Sequence, residues 1–455
     1  MNSEVLIHPP GACEHAIATL TILLRGFQQS TQGIEALNIF AGLSPQLRLN
    51  LLVLFIAGLL FWSALAAMLP VLPLYIADTG ADSTTIGIVT GSFAIGLLSS
   101  RSWLAKLADR QGRKRVMLIG MMAVAIAPLA YLLTESIPLL MGIRAFHGLS
   151  IAAFALAYSA LVVDLSPPQH RGELIGYMSL VNPVGMAVGP AMGGLLLDGA
   201  GYSSAFLAAA ALGGIGILCT MRVRESGTVH SLEVSAESAD ASTDQFWQLL
   251  ASPRIRVPAV VLLLVGLAFG TLVTFAPLFI AETQVQLNVG LFYTAAAIAS
   301  FSIRLVTGRA SDRYGRGLFI AISLLFYTVA MFLLWQAHSA PAFLLAGIFE
   351  GTGGGILIPM MAALMADRSY PNERGRTFSL CMVGFDVGIA IAGPLLGAIA
   401  SQTGYRAVFG LCSGLVFLSF LIFLTLSSKT LWHSVRFALG RAADVYAVER
   451  LPFNQ

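Results

Sequence analysis

The stretch LAKLADRQGRKR, residues 104–115, and its counterpart TGRASDRYGRGL, residues 307–318, decide how this chain folds. Each is a short basic loop between two long apolar runs, and a constant shift of 203 positions carries one onto the other. Under that shift Asp109 falls on Asp312, Arg110 on Arg313, Gly112 on Gly315 and Arg113 on Arg316. The same register places Gly87 on Gly290, Arg101 on Arg304, Gly148 on Gly351, Asp164 on Asp367, Pro168 on Pro371 and Arg171-Gly172 on Arg374-Gly375. One register held over so long a stretch marks a duplicated unit.

Working outward, the runs that flank these loops are too apolar for water. Hydrophobic residues make up 57% of the chain and charged residues 11%, so there is too little polar surface to cover a soluble body of 455 residues. Backbone polar groups in hydrocarbon are satisfied only in helices and closed barrels, and runs of this length without two-residue alternation are helices. Six runs, Leu51–Ile76, Ile86–Leu104, Val116–Leu133, Ile137–Val163, Leu174–Leu197 and Ala205–Met221, precede a polar linker. Six more follow it: Val257–Ile280, Val289–Val306, Leu318–Trp335, Ala342–Ala366, Phe378–Ala400 and Val408–Leu426. The expected fold is an all-α polytopic membrane protein of twelve transmembrane helices in two pseudo-symmetric six-helix bundles, residues 49–222 and 255–428. The Ser, Ala, Glu and Asp of Glu225–Gln245 cannot bury a core, so residues 223–254 read as a flexible linker, with a short surface helix at Phe246–Leu250.

The ends are less informative. Residues 1–48 read as an N-terminal segment whose apolar stretch Ala16–Leu24 is too short to span and lacks the marks of a signal peptide. Residues 429–455 read as a tail. The four cysteines, Cys13, Cys219, Cys381 and Cys412, are scattered and form neither a disulfide framework nor a metal site. Of 26 Lys and Arg residues, Arg101, Arg144 and Arg304 lie inside spans and Arg406 lies on the far side, leaving 22 on the side of the termini. Short cytoplasmic loops retain positive charge, so both termini are expected in the cytoplasm of a plasma (cell inner) membrane. The basic residues form no stripe interleaved with aromatics, which excludes nucleic acid as a partner.

Duplicated halves are how many secondary transporters obtain a central site that opens to either side. In a chain of six plus six spans, the DRxGR loop after spans two and eight resembles the major facilitator superfamily over about Leu49 to Ser427. The first loop departs from the family pattern in carrying Ala105 where glycine is usual, whereas the second keeps Gly308. The resemblance implies alternating access by a monomer that moves a small solute through the bilayer, with no cofactor beyond a coupling proton.

Within each loop a carboxylate one helical turn from a guanidinium can pair in one conformation and release in another. The expected latch comprises Asp109, Arg110, Gly112 and Arg113 with Asp164 as acidic partner, and Asp312, Arg313, Gly315 and Arg316 with Asp367. Arg101 and Arg304, two turns inward in both halves, read as gating or structural residues because of that symmetry.

The membrane-embedded polar groups are the candidate proton and substrate residues. Span four contains IRAFHG, residues 143–148, which resembles the R-x-x-Q-G motif of proton-coupled members with His147 at the Gln position. Arg144 and His147 share one helix face, and an arginine in hydrocarbon must face water or a partner. The shift sets Glu350 at the place of His147. A carboxylate at this depth suits a proton carrier, or else a static partner of an intramembrane arginine. Asp386, in span eleven, is matched by Pro183 in the first half and reads either as proton or substrate handling or as a partner of Arg101.

Span five carries G-x8-G-x3-GP-x2-GG as Gly176, Gly185, Gly189, Pro190, Gly193 and Gly194. This string resembles the antiporter motif of the drug:proton branch, and small residues of this kind let helices approach closely. Span eleven has a looser echo in Gly388, Gly393, Pro394 and Gly397. Trp62, Tyr75, Tyr158, Phe269, Phe275 and Phe385 are candidates for an apolar substrate cavity. The resemblance therefore implies proton-coupled export, with proton symport or uniport of a sugar or organic acid as the alternative and a non-transporting receptor behind both. No nucleophile and base pair or metal-ligand spacing supports an enzyme.

Overall fold

The computed structural model describes residues 43–167, 170–225, 248–370 and 373–448. The N-terminal segment to residue 42, Pro168, Pro371, most of the linker and the last seven residues lie outside the described residues. Up to Leu52 the chain belongs to one unit and from Val53 onward to a second, which holds the contacts described below.

Among the described residues ten helical segments are long and apolar enough to cross a bilayer. Spans one to four are Pro45–Asp78, Ser83–Gln111, Arg113–Tyr131 and Ile137–Leu165; spans seven to ten are Arg256–Glu282, Val289–Tyr314, Arg316–Gln336 and Ala340–Asp367. The two remaining segments, Arg171–Arg222 and Arg374–Leu426, have 52 and 53 residues. At ~1.5 Å rise per residue each is more than twice the ~30 Å hydrocarbon thickness. Each is broken at a glycine with positive φ, Gly201 at 78° and Gly404 at 79°. Each therefore contains two spans, five with six and eleven with twelve, and the described residues make twelve passes. Gly201-Tyr202 and Gly404-Tyr405 obey the 203 shift, a pair of turns that the sequence reading passed over.

Local chemistry sets the other boundaries. Between spans two and three, and again between eight and nine, the chain turns on one residue, Gly112 at φ 92° and Gly315 at φ 88°. A side chain strains this left-handed backbone, which is why the loop motif carries glycine there. At the opposite end Asp82 caps span two by accepting from Thr85 N at 3.0 Å, and Asn288 caps span eight by accepting from Gly290 N at 2.9 Å. Large apolar side chains are exposed on outward faces, among them Leu207 and Leu218 on span six and Phe417 and Leu418 on span twelve. Such a surface is stable against lipid, not water. The molecule is an integral multi-pass membrane protein. Below, the motif end is the end holding residues 107–113 and 309–316, and the far end holds the turns at Gly201 and Gly404.

Candidate functional site

The loops at the motif end are fastened differently in the two halves. Arg113, 6% exposed, forms an ion pair with Asp164 and donates to the Ala160 carbonyl at 3.0 Å. Glu225, at the start of the linker, accepts from Lys114 N at 2.6 Å and faces Gly112 so closely that a Cβ there would meet its carboxylate. In the second half Arg316 pairs with Asp312 at 2.7 Å within its own loop and with Asp367 at 3.3 Å. The expected Arg–Asp pairs between loop and span thus join in both halves. Asp109 and Arg110 are exposed, as are Asp312 and Arg313.

At the far end the halves interlock through backbone. A Cβ added at Gly87 would fall on the Gly393 carbonyl, and one added at Gly290 would fall on that of Pro190. These contacts are equivalent under the 203 shift, so spans two and eleven repeat the approach of spans five and eight. Thr294 Oγ1 donates to the Ala187 carbonyl at 2.8 Å, where the equivalent Gly91 lies against Ala390. Asn288 Nδ2 donates to Asp198 at 2.7 Å, Ser83 Oγ to Tyr405 Oη at 3.1 Å, and Thr90 and Thr274 share a hydroxyl contact at 3.2 Å. Toward the motif end spans two and eight each carry an exposed stretch, Arg101, Ser102 and Trp103 in one and Arg304, Leu305 and Val306 in the other.

The glycine string of span five serves two contacts. Gly185, Gly189 and Gly193, four residues apart, face span one at Trp62, Ser63 and Ala67. Pro190 and Gly194, on the adjacent face, meet span eight at Gly290 and Asn288. Gly176 departs from the expected close packing, because it sits in the separate short helix Arg171–Met178 and a Cβ there would meet nothing within 4 Å. The echo in span eleven is fuller than its spelling: Gly384 and Gly388 face span seven, while Gly393 and Gly397 face span two.

Between the two ends lie the embedded polar groups. Asp386 accepts from Arg101 Nη1 at 3.0 Å across the halves, with Arg101 half exposed. Arg304, exposed, has Pro183 at the symmetry-related place of that acid, so its environment departs from the expected symmetry. Glu350, 6% exposed, accepts from Tyr327 Oη at 3.1 Å. His147 is fully buried, with Nδ1 3.4 Å from Tyr131 Oη and 3.5 Å from Arg144 Nη1. The Arg144 guanidinium lies over Phe93, 4.5 Å from the ring centre. His147 Nε2 and Arg144 Nε have no hydrogen-bond partner among the described residues.

A cavity of about 270 Å³ opens in the first half between spans one, four and five, lined by Trp62, Phe154 and Tyr158 with Ser159, Ser179 and Asn182. Of the candidate aromatics, Trp62 and Tyr158 therefore stand on one cavity. Phe269 and Phe385 contact each other at 5.6 Å in the second half. Two others are packed into helix clusters instead. Tyr75 bonds the carbonyls of Tyr131 and Thr134 at 3.0 and 3.2 Å, and fully buried Phe275 stacks on Tyr405 at 5.6 Å. Sequence reasoning missed Tyr327, Glu225, Phe154 and Asn182. An isolated tyrosine or glutamate has no periodic signal, although the pairing of Asn288 with Asp198 stands beside the glycine string.

The family model for the Major Facilitator Superfamily matches residues 54–306 and 282–443. The chain is 26% identical over 388 residues to multidrug resistance protein MdtG of Salmonella choleraesuis (strain SC-B67), covering 81% of this chain and 92% of that one. Among solved structures, a mutant form of the nucleoside transporter NupG superposes with a TM-score of 0.73 at 15% identity, covering 83% of this chain and 99% of that one. A bacterial homolog of the human lysosomal transporter Spinster, inward-facing and unoccupied, gives a TM-score of 0.64 at 15% identity over 88% of this chain and 100% of that one. At such identity the solved structures establish the fold alone.

Proposed function

The chain belongs to the Major Facilitator Superfamily and is a membrane transporter, and from that premise we propose that it exports a small apolar or amphipathic solute in exchange for protons. The observation that carries this reading is the unequal fastening of the halves. Backbone contacts lock spans two with eleven and five with eight at the far end, while the same spans two and eight stand exposed toward the motif end. Such an arrangement supports an opening on the motif side, and the distribution of basic residues supports a cytoplasmic location for that side and both termini. Rocking of one half on the other would close that side and part the glycine seams.

In this reading the solute enters past the exposed turns and rests against Trp62, Phe154 and Tyr158, with Ser159 and Asn182 orienting it. Glu350 takes up a proton when the far side is open and releases it toward the motif side. The Tyr327 hydroxyl holds its carboxyl in place, and burial makes a lasting unpaired charge there costly. Arg113 with Asp164 and Arg316 with Asp367 steady the loops on either side of the opening. The resemblance to MdtG, whose name is that of a multidrug resistance protein, supports export of drug-like solutes.

The deciding experiment is uptake and efflux of a broad compound panel in proteoliposomes with an imposed pH gradient. Substrate movement against the direction of proton flow is expected. Movement along with protons would replace this reading by symport, and indifference to the gradient would replace it by uniport.

A further inference from the structure

The chain does not end at its twelfth span. Five residues beyond Leu426 it forms the helix Leu431–Ala438, opened by a Thr430 side chain that accepts from His433 N. Its inner face is closed: Ser434 and Ala438 are fully buried, and Phe437 lies 6.1 Å from Phe423 of span twelve. Its outer face carries Leu431 at 62% exposure and Trp432 at 72%, and Leu439 just past its end is 48% exposed. Lys429, Arg436 and Arg441 are exposed beside them.

Apolar and basic groups on one exposed face are unfavourable against water alone and suited to a bilayer surface. There the apolar side chains enter the boundary of headgroups and acyl chains while the cations meet headgroup charge. Tryptophan favours that depth. Two features place the face against the bilayer. It continues the lipid-facing belt of span twelve, whose last residue Leu426 is 58% exposed. Its cations also stand at the motif end, where the basic residues of the chain are concentrated.

The same segment grips the second half. Arg368, 1% exposed, donates from Nε and Nη2 to Asp444 at 2.6 and 3.0 Å and from Nη1 to the Arg254 carbonyl at 2.8 Å. Val448 N donates to the Asp367 carbonyl at 2.9 Å, one residue from that buried arginine. A Cβ on Gly317, next to the latch residue Arg316, would fall on the Phe437 carbonyl.

We propose that residues 427–448 are a seat for anionic lipid headgroups, with Leu431, Trp432 and Leu439 immersed and Lys429, Arg436 and Arg441 binding headgroup charge, so that the bilayer holds the second-half loop through Gly317 and Arg368. The proposal stands on the membrane fold and is independent of the direction of transport and of proton coupling.

The test uses the full-length protein in nanodiscs of phosphatidylcholine, with and without phosphatidylglycerol. Amide exchange over residues 427–448 should be slower with phosphatidylglycerol, by about fivefold for each basic side chain engaged. The combined variant Lys429→Gln, Arg436→Gln, Arg441→Gln should erase that difference while the spans stay protected. Brominated lipid should quench wild-type fluorescence more than that of Trp432→Phe, which keeps the helix and removes one reporter. Equal exchange in the two bilayers, or equal quenching of the two proteins, would overturn the proposal.

Discussion

The two halves share a plan and differ in how each closes the motif end and in what it buries. The first half shuts its loop with a buried ion pair, Arg113 with Asp164, and borrows Glu225 from the linker to cap the helix that follows. The second divides Arg316 between Asp312 and Asp367, leaves it partly exposed, and braces the neighbouring turn with the chain beyond span twelve. Deeper in, fully buried His147 of the first half is replaced by Glu350, and Pro183 by Asp386. Duplication thus preserves the backbone seams, where a misfit would be costly on both sides. Departures from symmetry fall on polar groups, where one half can take on a task that the other lacks.

The strongest challenge to the shared seams is bulk. In Gly189→Leu the branched side chain must enter the space of the Ser63 carbonyl and Ala66, and overpacking of this kind costs about 1–3 kcal/mol or more. Transport should fall at least about tenfold and thermal stability should drop, whereas Gly176→Leu, which meets nothing, should keep both. Assaying the two variants together in proteoliposomes and by thermal shift sharpens the division of the glycine string, and equal behaviour would erase it.

The next contrast concerns His147 and Glu350. Glu350→Gln retains size and the chance of bonding Tyr327 but cannot carry a proton. Gradient-driven transport should be lost while exchange of labelled substrate at equal pH survives, and His147→Gln should reduce gradient-driven transport far less. Loss of stability together with loss of exchange in the Glu350→Gln variant would assign Glu350 a structural part. Retained gradient-driven transport would shift proton carriage to Asp386 or His147.

The smallest expected difference separates the two latches. Arg113→Ala leaves Asp164 without its buried partner, a loss of about 3–5 kcal/mol. In Arg316→Ala the exposed remainder should cost no more than about 1 kcal/mol. Denaturation in matched detergent, read beside membrane abundance, measures the gap. Equal losses would mean that the second latch is as firmly set as the first, through the terminal segment.

The membrane class, the duplication and the loop motifs are legible in the sequence, for they rest on composition, span length and a repeat, which are properties of one dimension. Residue by residue, Gly112 and Gly315 could be assigned to the loop motif and Asp164 named as its acidic partner, because the repeat points to them. Which face of span five meets span one and which meets span eight was hidden, since a four-residue glycine spacing names a close contact but not its neighbour. Tyr327 beneath Glu350, Asp386 against Arg101 and Asp444 against Arg368 join residues from separate helices or from a helix and the tail. Sequence by itself determined that the chain crosses the membrane as two related sets of helices with polar groups buried among them. Tertiary structure alone decided the partners of those groups and the end at which the halves meet, because packing between helices depends on their rotation and crossing, and no local pattern of residues encodes these.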